Sequence, residues 1–189
     1  MADLTAIILT RNEEDYIAAC IESIKPVAKR IVVVDSFSED KTVSIAQGAG
    51  AEVHQHEFYN YAKQYMYAVE IADVKTTWIL RIDADERLTK ESAAELEKLC
   101  NENENTDVSG IVLRFYNMFL GKPMMHGGMY PWKKLSVYKA GIGNVAMFCY
   151  PKEYQLGIRP MNRDDIIEVD NLSELIALDA SYKKYVEEK

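Results

Sequence analysis

Leu4-Thr-Ala-Ile-Ile-Leu-Thr10 and Arg30-Ile-Val-Val-Val-Asp35 are short, almost wholly apolar runs, each closed by polar residues and followed by a helical pattern. Strands buried on both faces require such runs, and strands of that kind belong to parallel sheets covered by helices. After Thr10 comes Arg11-Asn12-Glu13-Glu14. Asn12 can cap a helix there, and the acids suit its positive end. Ile17, Ile21 and Ile24 then fall at helical spacing until Pro26 stops the pattern. After Asp35, Ser36 to Lys41 reads as a cap region and Thr42 to Gln47 as a helix closed by Gly48 and Gly50.

The alternation continues. Ala51 to His54 is a short third strand, and Tyr61 to Ala72 a helix with Ala62, Tyr65, Val69 and Ala72 on one face. Thr77 to Ile82 is a fourth strand running into Asp83-Ala-Asp85-Glu86, after which Thr89 caps a helix from Lys90 to about Asn101. Four strands alternating with four helices predict an α/β fold, a mainly parallel central sheet between helical layers joined by right-handed crossovers. Beyond the polar loop Asn101 to Asp107 the pattern turns antiparallel. A long strand is expected over Val108 to Phe119, a turn at Gly121-Lys122-Pro123, and a returning strand over Lys134 to Lys139. After Gly141-Ile-Gly143 the best elements are a strand, Asp165 to Val169, and a helix from Asn171 towards Lys184.

Length and composition bound the function. The 189 residues suit one domain with a short appendage, and 48% apolar with 28% charged residues excludes disorder or coiled coil for the whole. With 22 basic and 30 acidic residues the net charge is -8, and no basic cluster could neutralise several phosphates, which excludes duplex nucleic acid as a partner. An anionic ligand would need a metal or backbone amides. Cys20, Cys100 and Cys149 form no C-x-x-C pair, so a disulfide framework or zinc knuckle is disfavoured and a reducing compartment expected. The first residues carry no basic n-region, and no run approaches the ~18 apolar residues of a spanning helix; a soluble cytoplasmic protein is expected.

In an open α/β sheet ligands bind beyond the carboxyl ends of the strands, where Thr10, Asp35 and Asp83/Asp85 fall here. Asp83-Ala-Asp85 could hold one hard divalent cation, Mg²⁺ or Mn²⁺, whose shell is completed by phosphates and water. The same residues could instead make a solvated turn and cap. Asp35 could accept from a nucleobase or ribose, or form an Asx turn. Thr10 and Asn12 could do no more than cap their helix. His54 and His56 alternate along a strand without a third ligand, and Tyr59, Tyr61, Tyr65 and Tyr67 read as core and rim. No G-x-G-x-x-G follows the first strand and no G-x-x-x-x-G-K-[ST] occurs, which disfavours dinucleotide and P-loop enzymes.

Three stretches carry a resemblance. Ile7-Ile-Leu-Thr-Arg-Asn-Glu-Glu14, Ile31-Val-Val-Val-Asp-Ser-Phe-Ser-Glu-Asp-Lys-Thr42 and Trp78-Ile-Leu-Arg-Ile-Asp-Ala-Asp-Glu86, in this order and spacing, resemble a family 2 glycosyltransferase with the GT-A fold. The subgroup is the bacterial one that builds lipopolysaccharide core or capsule. The similarity continues through Phe119-Leu-Gly-Lys and His126-Gly-Gly-Met-Tyr-Pro131, covering about residues 3 to 140. The resemblance implies a three-layer α/β/α sandwich, truncated on the acceptor side. Residues 1–142 would form the nucleotide-sugar domain, with 1–104 the donor half, 105–142 the start of the acceptor half and 143–189 a divergent tail.

It implies that Thr10, Asn12, Asp35 and Asp83 line the nucleotide pocket, and that Asp85, with Asp83, ligates a divalent metal on a nucleotide-diphosphate sugar. The sugar would pass, commonly with inversion, to a saccharide or lipid-linked acceptor, and association with a membrane face is an accompanying expectation. Departures accompany it: Gln64-Tyr65-Met66 lacks the cation the subgroup carries there, Leu135-Ser136-Val137 lacks its arginine, and no residue matches the family's general base. The tail Ile158 to Leu175 is similar to the end of a sugar-phosphate nucleotidyltransferase, in which the acid at Asp170 would help bind metal. A nucleotide-binding remnant or fusion product and, behind it, a nucleotidyltransferase are therefore the alternatives to an active transferase.

Overall fold

A computed structural model describes residues 1–119, 122–123 and 132–141. The tail strand and helix, Asp170, Cys149 and the His126 to Pro131 motif lie outside them. The order is β1 (Ala2–Thr10), α1 (Ile17–Ile24), β2 (Ala28–Asp35), α2 (Thr42–Gly48), β3 (Glu52–Gln55), α3 (Tyr61–Ala72), β4 (Trp78–Asp83), α4 (Lys90–Glu102), β5 (Gly110–Phe115), β6 (Met118–Phe119), β7 (Lys122–Pro123) and β8 (Trp132–Lys139). The main sheet runs β3-β2-β1-β4-β8-β5. Its first four strands are parallel, as the alternation requires, while β8 pairs antiparallel with both β4 and β5.

Burial divides the sheet into two faces. Leu4, Ala6 and Ile8 of β1 and Leu80 and Ile82 of β4 pack with Ile17, Ile21 and Ile24 of α1, Ala46 of α2 and Leu96 and Cys100 of α4. Ile7, Leu9, Val32, Val34 and Ile79 pack instead with Tyr65, Ala68 and Ala72 of α3. The result is three layers, with β1, β2 and β4 largely buried on both sides, which is why these strands read as mainly apolar runs.

Several boundaries depart from the sequence expectations. Asn12 does not cap α1: the helix begins five residues later, without a side-chain cap, and Asn12 takes a left-handed backbone. The expected strand over Val108 to Phe119 breaks at Tyr116-Asn117 into β5 and β6, and of the expected turn Gly121-Lys122-Pro123 the described residues Lys122-Pro123 are β7, hydrogen-bonded to β6. The buried face of α3 carries Gln64 and Ala68 beside Tyr65 and Ala72. Thr89 caps α4 as expected, its hydroxyl accepting from Ser92 N at 3.1 Å. No helix among the described residues is long and apolar enough to cross a membrane.

Asp3 fastens the amino-terminal edge of the sheet. It accepts from Lys29 Nζ at 2.8 Å, Thr77 N at 2.7 Å and Thr77 Oγ1 at 2.9 Å, joining the starts of β1, β2 and β4. The Lys29 hydrogen bond, then the Thr77 amide, hold its carboxyl below the ordinary aspartate value. A depressed folded pKa gives stability that is present above the unfolded value and lost as pH falls through the folded one. Asp3→Asn should therefore cost about 1 to 2 kcal/mol at neutral pH, seen as a lower urea midpoint, and the gap from wild type should close in acid.

Candidate active site

Strand register brings the carboxyl ends of three strands to one edge. Thr10 of β1 pairs with Asp35 of β2, and Leu9 pairs with Asp83 of β4. Side chains alternate across a sheet, so Thr10 and Asp35 continue the α1 face of Ile8 and Val33, whereas Asp83 follows Arg81 on the α3 face. A ligand lying over this edge would be touched from both faces.

Two loops rise above β1 and β2 and are sewn together. Asn12 N donates to Ser38 Oγ at 2.8 Å, and Asn12 Oδ1 accepts from Glu39 N at 2.8 Å. Glu13 N donates to Thr42 Oγ1 at 2.7 Å, and Lys41 N to Glu14 Oε2 at 3.0 Å. The left-handed backbone at Asn12, φ 54°, is one asparagine tolerates, and it aims both amide and side chain at the neighbouring loop. Phe37 is also left-handed, at φ 55°, yet its ring is 55% exposed. Such a backbone costs a bulky residue on the order of 1 kcal/mol or more and persists only where its surroundings enforce it.

Asp35 is fully buried. Its carboxylate accepts from Ser38 N at 2.9 Å, from the Ser38 hydroxyl and from Gln55 Nε2 at 3.1 Å, which is the Asx-turn alternative of the sequence reading. Gln64 of α3 reaches the same loop, donating to Ser36 Oγ at 3.0 Å, and its Oε1 lies 2.7 Å from His56 Nδ1. His56 stacks on Tyr67 with ring centroids 3.8 Å apart, and His54 Nε2 lies 2.7 Å from Glu52 Oε1. The histidines thus pair with different protein groups. Thr10 Oγ1, by contrast, is buried with no hydrogen-bond partner among the described residues, as are Arg81 Nε and Ser136 Oγ.

Around the D-x-D turn the two aspartates differ. Asp83 Oδ1 accepts from Arg81 Nη2 at 3.2 Å and Oδ2 from Lys134 Nζ at 2.6 Å. Glu86 Oε1 also accepts from Lys134, at 3.2 Å, while its Oε2 accepts from Asp83 N at 3.0 Å. Burial alone would raise Asp83, but Arg81 and Lys134 outweigh it and hold the carboxyl below its ordinary value. Burial pushes Glu86 up, with Lys134 opposing. Asp85 is exposed and has no hydrogen-bond or ion-pair partner among the described residues. Burial, then the Asp85 and Asp40 carboxylates, push Glu13 above the usual glutamate value. Cys20, whose thiol donates to the Asp83 carbonyl at 3.5 Å, is pushed up to about 12, chiefly by burial, and is no nucleophile.

Arg81 and Lys134 escaped the sequence reading. The available signal was a charge inside an apolar strand, Trp-Ile-Leu-Arg81-Ile, since a charge so placed is almost always paired.

Among the described residues no group of three or more ligating side chains could hold a metal ion by itself. A divalent cation of the Mg²⁺ class is usually bound by one or two carboxylates together with substrate phosphates, so an exposed carboxylate without a protein partner among the described residues, Asp85, fits it.

Residues 5–155 match the family described as glycosyl transferase family 2. An uncharacterized glycosyltransferase of Rickettsia bellii is 45% identical over 94 residues, 50% of this chain and 31% of the relative. The lipopolysaccharide core biosynthesis glycosyltransferase LpsC of Rhizobium meliloti is 40% identical over 92 residues, 46% of this chain and 33% of the relative. The matched stretch thus spans about a third of these relatives' own length. Among solved structures, mannosyl-3-phosphoglycerate synthase from Rubrobacter xylanophilus superimposes with a TM-score of 0.48 at 24% identity, over 57% of this chain and 39% of that one. With a family match across most of its length, the chain belongs to glycosyltransferase family 2.

Proposed function

We propose that this chain binds a nucleoside-diphosphate sugar at the carboxyl edge of β1, β2 and β4 and serves its transfer, with inversion, to a saccharide or lipid-linked acceptor in lipopolysaccharide core synthesis. The pathway is suggested by the likeness to LpsC. The observation that carries the reading is the edge itself: Thr10 and Asp35 in register, Asp83 one strand over, and a buried Thr10 hydroxyl without a partner among the described residues. In this reading Thr10 and Asp35 meet the base and ribose, and Asn12 holds the two pocket loops together. Asp85 holds a divalent metal, Mg²⁺ or Mn²⁺, with Asp83 behind it. When bound, the metal would stabilise charge on the departing diphosphate.

The test is incubation of the purified chain with a UDP-sugar, Mn²⁺ and core oligosaccharide acceptors. The account expects UDP release that EDTA stops. Nucleotide binding without transfer to any acceptor would assign a binding module instead, and absence of both would contradict the reading.

A further inference from the structure

Arg81, Asp83, Glu86 and Lys134 form a closed set of two cations and two carboxylates, largely withdrawn from water: the side chains are 19%, 32%, 20% and 17% exposed. Lys134 is its hinge, the one side chain among the described residues that touches both carboxylates, at 2.6 and 3.2 Å. It comes from the start of β8, the antiparallel strand inserted beside β4. Its ammonium is a compact charge on a flexible four-carbon stem and lies 5.6 Å over the Phe115 ring. The set is electrically neutral as it stands. A divalent cation arriving alone would add two charges beside Lys134, with Asp83 and Glu86 already satisfied. A cation arriving with the two phosphate charges of a nucleotide sugar would leave the site neutral again.

We propose that Lys134 is the donor site's resident cation. It occupies Asp83 and Glu86 in the free protein and moves onto the diphosphate when the donor enters, leaving Asp83 to the metal. The inference rests on the donor-site reading above. It couples metal and nucleotide binding, since the ammonium that leaves Asp83 to the metal is the one that meets the phosphates, and it assigns Lys134 a phosphate-binding role that the sequence reading did not give it.

The test measures two affinities by calorimetry, Mn²⁺ alone and UDP in saturating Mn²⁺, for wild type, K134M, K134Q and K134R. Without the ammonium, Asp83 and Glu86 are free to attract the metal, so Mn²⁺ alone should bind on the order of 10-fold tighter in K134M. UDP should bind on the order of 10-fold more weakly, having lost a phosphate partner. Opposite signs are the signature, because a merely structural lysine would weaken both. Should K134M fail to fold, K134Q keeps a hydrogen bond to Asp83 without the charge and should show the same opposed shifts. K134R should restore both affinities towards wild type. Parallel losses in K134M or K134Q, or no change in either affinity, would overturn the proposal. A wild type that binds no UDP in Mn²⁺ would instead remove the donor-site reading beneath it.

Discussion

Asp85→Ala should abolish metal-dependent nucleotide binding while leaving the fold intact. Loss of an outer-shell partner costs a metal site roughly 10 to 100-fold, and loss of the ligand itself should reach at least the upper end of that range. The variant is clean because Asp85 is exposed and bonded to nothing among the described residues, so its removal should change stability by no more than about 0.5 kcal/mol. Stability could even rise slightly, since Asp85 is one of the carboxylates that push Glu13 up. Asp83→Ala would be a poor substitute: it strands Arg81 and Lys134 in a part-buried cluster and confounds binding with folding. Calorimetry of UDP with Mn²⁺, paired with a thermal melt of each protein, checks the claim. Undiminished binding in Asp85→Ala would move the metal elsewhere.

Trp78→Ala should have the largest effect on stability. The side chain is fully buried at the start of β4, packed in the cluster that joins α1 and α4 to the sheet, and its Nε1 donates to the Cys100 carbonyl at 3.1 Å. Truncation leaves a cavity and an unpaired carbonyl near the end of α4, a loss of about 3 to 5 kcal/mol. Against a total of roughly 5 to 15 kcal/mol for a domain, that is a third or more of the folding free energy. Urea unfolding should show a much lower midpoint with little change in slope, and Trp78→Phe, which keeps most of the volume, should lose less. A cost below about 1 kcal/mol would mean that α4 does not depend on this anchor.

Strands β1, β2 and β4 were legible because they are buried on both faces and therefore carry their own signature, an apolar run ending in a polar residue. That ending also located the edge: Thr10, Asp35 and Asp83 are where the runs stop, and parallel pairing brings such ends together. The antiparallel portion was less legible. β5 is half-buried along most of its length, β8 sets polar residues beside buried Ser136, Val137 and Tyr138, and the break at Tyr116-Asn117 carries no glycine or proline to announce it.

Side-chain partnerships were beyond the sequence where they cross between distant elements. Asn12 looks like a helix cap because it precedes an amphipathic run; only the left-handed backbone and the β2–α2 loop across from it reveal a loop-to-loop tie. Lys134 lies 51 residues from Asp83, and their meeting depends on β8 being inserted next to β4, a matter of topology and not of spacing. The sequence reading also noted a missing cation at Gln64-Tyr65-Met66 of α3. Tyr65 is buried there and meets Tyr138 of β8 hydroxyl to hydroxyl.

The most direct test of the central claim, a metal-assisted nucleotide-sugar site at the carboxyl edge of β1, β2 and β4, is calorimetric titration of UDP into the wild-type chain, first in Mn²⁺ and then in EDTA. The account predicts saturable binding with Mn²⁺ that disappears in EDTA. Equal binding in both, or none in either from a folded sample, would contradict it.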